Sequence, residues 1–446
     1  MNYKRTVCLS FLVIVSLVAG CSVSNRTETG NNIPISTVPG EVETTNTPPF
    51  TSTVGPTETQ FSALRTELTV TPYIQKSIDQ SMIPQCSGGG DIVPKPVGFG
   101  LSGAMILMDW NKNGFSLIGG NPLEQSEFIS TGEDYPQLFG FSTNGEWLGY
   151  AINTPDKDNS ITIYLLSASG ETITNELDLS SYLSEIPPEN KFLGLSGFSY
   201  WINNKLVYIS LYSTINDGKP GLVTYLPKIV DPFTTVFMES LLGQLPDRHF
   251  ISPFGVSPEE EKVLYASRDG LTLWDYKQKK ILWSTKEIPS RNSRILWNRN
   301  NAFVVSIPFY GMSSDEETIL ISLLTNSVFS IFNSDYPAPQ STIFSAGWSP
   351  DGRYLVLLAH SAAEENETIF VFDSIENQYV FQCPVQDPND LTPSIVWTDQ
   401  RQIIYSSGQL SPEIIDLDTG IIFELGIQGT VVGWSKFYPL QTLKRK

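Results

Sequence analysis

Gly347-Trp348-Ser349-Pro350-Asp351-Gly352-Arg353-Tyr354-Leu355-Val356-Leu357 is the stretch on which the fold turns. An aromatic and a hydroxyl residue end one short segment, Pro and Asp-Gly supply a tight reversal, and an apolar run follows. This is how two antiparallel strands are written in sequence. The unit recurs along the chain. Gly140-Phe141-Ser142 leads through Asn144-Gly145 to Trp147–Ala151, Gly197-Phe198-Ser199 through Asn203-Asn204 to Leu206–Ser210, and Gly255-Val256-Ser257 through Pro258-Glu259 to Val263–Ser267. Leu296-Trp297-Asn298 precedes Phe303–Ser306, Val396-Trp397-Thr398 precedes Ile403–Ser406, and a seventh copy, Gly433-Trp434-Ser435, stands near the carboxy terminus.

After each pair of strands comes a third apolar stretch and usually a fourth. Leu271–Asp275 and Lys280–Ser284, separated by Lys277-Gln278, are an example. Four short strands per unit at this period predict an all-β chain folded as a β-propeller. The motif copies predict seven blades; six would result if the weak unit around Trp297 merged with its neighbour, and eight is the other neighbouring count. Gly433-Trp434-Ser435 has no strands after it, whereas Val97–Phe99, Ala104–Asp109 and Phe115–Gly119 have no motif before them. Joining the two predicts a first blade closed by the carboxy-terminal strand, which leaves no open sheet edge.

Composition agrees with sheet. Charged residues are 17% of the chain and aromatics 11%, and 33 Gly and 30 Pro demand frequent turns, a balance unlike that of charged helical bundles. With 28 basic and 47 acidic residues the net charge is −19. Such a field repels phosphate backbones, so no nucleic-acid partner is expected.

Met1 to Gly20 carries Lys4 and Arg5, then the apolar run Val7–Val18, the layout of an export signal. Leu17-Val18-Ala19-Gly20-Cys21 resembles the bacterial lipobox, which implies acylation of Cys21 and cleavage before it. Residues 21–85 are rich in Thr, Ser and Pro with no apolar period, and read as a flexible tether from the membrane. The propeller is expected over 86–439, followed by a basic tail at 440–446. Cys8 leaves with the signal, so the exported domain retains Cys86 and Cys383, a candidate disulfide in an oxidising compartment.

Trp348-Ser349-Pro350-Asp351-Gly352-Arg353-Tyr354-Leu355 resembles the repeat signature of TolB-like propellers, which are WD40-like in shape; the copies at Phe141-Ser142 and Val256 are degraded versions, and Trp397 and Trp434 hold the aromatic position. The resemblance implies a fold that hosts partner-binding proteins, and fixes architecture better than activity.

Little catalytic chemistry is written here. His249 and His360 are the only imidazoles, and Gly100-Leu101-Ser102-Gly103 and Gly194-Leu195-Ser196-Gly197 are near misses for a nucleophile elbow, expected at turns. Carboxylate-rich segments, Asp156–Asn159 and Ser314–Glu317, lack the pattern of a calcium loop, and Glu364, Glu365 and Asp315 read as solvated loop acids. No catalytic residue, metal site or cofactor site is therefore expected. The reading is a monomeric binding scaffold, lipid-anchored in the cell envelope and facing outward, that takes a protein or glycan at propeller loops. The segments 153–160, 212–221 and 310–317 would present one face. The alternative is a carbohydrate- or lactone-active enzyme with carboxylates at the central channel.

If Cys21 carries the only anchor, Cys21→Ser should move the protein from the detergent phase to the aqueous phase on phase partitioning, with the propeller's melting temperature unchanged. A mutant still found in the detergent phase would refute the lipoprotein reading.

Overall fold

Ser160–Ser167 alternates half-buried and buried residues along its whole length, the period-two pattern of a strand between two packed layers. The computed structural model describes residues 83–436 apart from 87–90, 127, 131–135, 154–159, 181–189, 196–198, 216–223, 238–250, 260, 268–269, 285–292, 309–316, 326, 333–336, 338–340, 362–365, 386–392, 400 and 409. The expected signal, Cys21 and residues 22–82 lie outside the described residues, as does the basic tail.

The strands form seven separate sheets. Blade 2 runs Gln137–Phe141, Trp147–Asn153, Ser160–Ser167 and Thr172–Asp178 from inside outward. Blades 4 to 6 repeat this order with Ile251–Val256, Ser293–Trp297 and Ser341–Trp348 innermost. Blade 3 has a broken inner strand, Asn190–Leu195 and Tyr200–Trp201, both paired with Val207–Ile215. Blade 7 starts from Pro393–Trp397 and carries an extra outer strand, Ile92–Val93, parallel to Ile422–Glu424.

Blade 1 closes the ring. Its inner strand is Thr430–Ser435, paired antiparallel with Leu101–Asp109 through Met105↔Trp434 and Leu107↔Val431, and Gly114–Gly120 and Glu124–Gln125 complete it. Seven blades are thus formed, and the six- and eight-blade alternatives fall.

Apolar residues on both faces of each sheet pack against neighbouring sheets. One buried cluster fills each blade interface: Phe303 and Leu320 of blade 5 meet Leu355 and Phe370 of blade 6, for example, and Ile404 and Ile414 of blade 7 meet Met105 and Val431 of blade 1. Because sheets twist, such faces pack around a ring instead of in a flat stack.

The segment before blade 1 straps the outside. Ile83 is buried between blades 5 and 6, the Cys86 amide donates to the Gln382 carbonyl at 3.1 Å, and Cys86 and Cys383 are joined with their Cα atoms 5.2 Å apart. Lys95 Nζ then donates to the Leu425 carbonyl of blade 7 at 2.9 Å.

Four sequence expectations change. Val97–Phe99 is a turn, not a strand: Gly98 has φ +73°, the Phe99 amide bonds the Pro96 carbonyl, and the fourth strand comes from Glu124–Gln125. Gly100–Gly103 leads into a strand instead of a turn, and a Cβ on Gly103 would lie 2.1 Å from the Ser435 carbonyl oxygen. There the glycine serves the close approach of the closing strand. Tyr212 belongs to Val207–Ile215 and not to a loop. The third motif copy also moves. Phe198 lies outside the described residues, and Trp201, opposite Val207, holds the place that Trp348 holds opposite Leu355.

Removing residues 430–446 should expose the blade 7–1 and blade 1–2 cores and cause aggregation or a loss of stability well beyond the ~2 kcal/mol of burying Val431 alone. Removing only 441–446 should leave the melting temperature unchanged. Equal melting of the longer truncation and the full chain by calorimetry would overturn closure.

Candidate functional site

The inner strands of all seven blades surround a central channel of about 440 Å³. The two ends of the ring differ. At one rim, first and second strands join by tight reversals and third and fourth strands by short hairpins such as Asp373–Gln378; at the other, second strands hand over to third strands and each blade to the next.

The tight rim is cross-linked. Ser349 Oγ accepts from the Tyr354 amide at 2.9 Å and donates to Asp351, Ser142 repeats the arrangement with Trp147 and Asn144, and Asn298 Oδ1 accepts from the Phe303 amide. Neighbouring turns then bond to each other. Asn298 and Asn300 donate to the carbonyls of Gly352 and Asp351 at 3.0 and 2.7 Å, and Ser435 Oγ donates to the Gly145 carbonyl at 2.6 Å. Gly352 has φ +73°, and a Cβ there would crowd the two Asn amides.

Motif tryptophans tie blade to blade. Trp201 Nε1 donates to Gly140 O at 3.0 Å, Trp348 Nε1 to Leu296 O at 3.2 Å, and Trp397 Nε1 to Gly347 O at 3.0 Å. Each acceptor precedes the motif residue of an adjacent blade. Phe141, Ser142, Trp348, Ser349, Pro350, Trp397 and Trp434 all line the channel, while Asp351 and Gly352 complete the blade 6 turn beside it. These residues build the wall.

Sequence reasoning missed two features. Asp231, Asp275, Asp373 and Asp416 each accept backbone amides of the hairpin that follows, as Asp373 Oδ1 does from Ile375 and Glu376 at 2.9 and 3.1 Å. The recurring Asp ahead of Thr235, Lys279, Asn377 or Gly420, all at positive φ, was a readable signal. Burial tends to raise the Asp373 pKa, but hydrogen bonds from Arg353 and the two amides outweigh it and lower the pKa. The other feature is charge. Arg294, Arg299 and Lys436 line the channel, and the lining contains no Asp or Glu among the described residues.

The expected loop segments supply only their flanks. The spans between Asn153 and Ser160, Ile215 and Thr224, and Pro308 and Thr318 begin and end at the open rim, and apart from the exposed Glu317 their interiors lie outside the described residues, as do Glu364, Glu365 and His249. His360 packs edge-on against Phe344 at 5.3 Å. Ser102 Oγ donates to Asp399 Oδ1 at 2.7 Å, tying blade 1 to blade 7.

No protein-family model matches the sequence, and no curated protein matches it. Among solved structures it is similar to the β-propeller domain of Cps50 (Swd1) from Myceliophteria thermophila, with 10% identity and a TM-score of 0.37 over 72% of this chain and 96% of that one. It is also similar to dihydro-heme d1 dehydrogenase NirN in complex with DHE (13%, 0.44, 79% and 78%) and to oligogalacturonate lyase in complex with manganese (11%, 0.42, 75% and 85%). The assignment of seven blades rests on the sheet topology itself.

A strongly perturbed acid lies away from the channel. Glu413, in the third strand of blade 7 and 6% exposed, has its pKa pushed up to about 7 by burial and by Glu424 opposite it. Nearby, Tyr405 donates to Glu367 Oε2 at 2.7 Å, and burial, followed by the Glu367 charge, raises the tyrosine pKa. The folded protein therefore holds the Glu413 proton at pH values where the unfolded chain has released it. That stabilisation is complete below about pH 4.5 and is lost as pH rises through about 7, a span on the order of 3 kcal/mol. Urea melts from pH 4.5 to 8 should show Glu413→Gln flattening this dependence and stabilising the protein at pH 8.

Proposed function

We propose that the protein is a non-catalytic binding propeller of the TolB-like kind, displayed outside the cytoplasmic membrane on lipidated Cys21. Its ligand, a protein or glycan, is held at the open rim. The observation that carries this reading is the asymmetry of the ring. One rim consists of tight reversals bonded to one another, whereas the other receives the long connections, including those from Phe237 to Ile251 and from Pro308 to Thr318. Rigid scaffolds with variable connections at one end are how propellers and other β folds present binding surfaces.

Other features fit. The joined Cys86 and Cys383 suit an oxidising compartment, and the strap brings the tether to the outer edge of blade 6, away from the channel. A glycosidase or lactonase would need carboxylates converging on a cleft, and the described channel wall presents cations instead.

The test uses the purified full chain in detergent, with arrays of envelope glycans and envelope proteins alongside chromogenic glycosides and lactones. We expect saturable binding that is lost when the connections between Ile215 and Thr224 or between Pro308 and Thr318 are shortened to Gly-Ser turns, with melting temperature unchanged. No substrate should be turned over. Hydrolysis by the wild-type protein would replace the scaffold reading with an enzymatic one, and binding insensitive to both shortened connections would remove the ligand from the open rim.

A further inference from the structure

Several cations are paired: Arg353 with Asp373 at 2.5 Å, Arg401 with Asp418 at 3.0 Å, Lys112 with Asp109 at 2.8 Å, and Lys277 with Glu261 at 2.5 Å. Arg294 is placed differently, in the wall of the channel. It sits next to the start of Ser293–Trp297, the inner strand of blade 5, so it stands where the channel opens toward the rim with the long connections. Its side chain lines the channel and is open to channel water, and among the described residues no carboxylate pairs with it.

We infer that the open-rim mouth of the channel is a binding site for a small organic anion, whose acid group is held by Arg294 and whose apolar body lies against the inner-strand walls. This deepens the binding reading above by naming a second ligand class, and places it in the channel instead of on the rim loops. The guanidinium is a planar fork that matches a carboxylate through two parallel hydrogen bonds. Beyond it, the half-buried Leu296, Val396 and Val432 give the wall apolar surface, which an organic acid satisfies and an inorganic ion does not. The volume of about 440 Å³ falls within the range of small-ligand pockets.

The electrostatics support the same assignment. Arg294 is ringed by protein even where water reaches it, and this desolvation lowers its pKa, with the Tyr200 phenol opposing the shift. A cation that has lost part of its hydration gains more from an anionic partner than one on the open surface. The site also lies apart from Arg299 and Lys436, which follow the inner strands and so belong to the tight rim.

Benzoate, its neutral isostere benzamide, and inorganic phosphate test the site by calorimetric titration of the full chain in detergent. Benzoate should bind saturably and benzamide at least about tenfold more weakly. Arg294→Gln should abolish benzoate binding, Arg294→Lys should retain part of it because charge survives without the fork, and Arg299→Gln should leave it unchanged. Melting temperatures verify folding of each variant, and the Lys variant alone decides the matter if the Gln variant unfolds. Absence of saturable benzoate binding, equal binding of benzamide, or binding untouched by the Arg294 changes would overturn the site. Phosphate binding through Arg294 without benzoate binding would overturn the organic-ligand assignment. None of these results bears on the shortened-connection experiment, so the channel site and the rim reading fail separately.

Discussion

The antiparallel pairing of Thr430–Ser435 with Leu101–Asp109 is the constraint on which the rest of the molecule depends. Each blade has two apolar faces, and a sheet in this position can be stable only if both are covered. A linear stack of seven would leave two faces and two long edges open. Bringing the last strand to the inside of the first blade covers them together, since Val431 packs into the blade 7–1 cluster while Ile106 and Leu117 of the same sheet pack toward blade 2. The closure also explains Gly103, where a Cβ would meet the Ser435 carbonyl oxygen of the closing strand at 2.1 Å.

With the ring closed, the two rims become chemically different surfaces. At the tight rim, Ser and Asn side chains satisfy the backbone of their own reversal and reach the next one, so that turns of adjacent blades are bonded to each other. Such networks favour a single arrangement because each unmade bond leaves a buried polar group unsatisfied. The indole ties do the same work where the inner strands run into these reversals. Rigidity at one rim leaves the opposite connections free to differ in length from blade to blade without disturbing the ring.

The channel inherits its chemistry from the inner strands. In a protein of net charge −19, acids are spread over hairpins and outer strands, where Asp side chains cap turns and Glu413 is buried in protonation balance with its neighbours. The positions that line the channel are mostly glycine, aromatic or β-branched. Arg294, with Arg299 and Lys436 toward the other rim, gives a lining without Asp or Glu among the described residues a positive character.

What the sequence by itself determined was the repeating unit. The Trp348–Leu355 motif and its copies carry the reversal chemistry locally, so the number of blades, the order of strands and the role of the carboxy-terminal strand could be read from spacing and turn residues alone. Where local chemistry was weak, the reading slipped. Gly197-Phe198-Ser199 looked more like the motif than the residues around Trp201 do, and only the pairing of Trp201 with Val207 and its bond to Gly140 settled the register. Val97–Phe99 was apolar enough to pass for a strand, but a left-handed Gly98 turns it. The tertiary structure alone decided the meeting of Ile83 with blades 5 and 6, the proximity of Cys86 to Cys383, and the cationic lining of the channel. Each of these depends on which residues from distant blades come to face one space, and that is fixed by ring closure, a long-range event that no local pattern encodes.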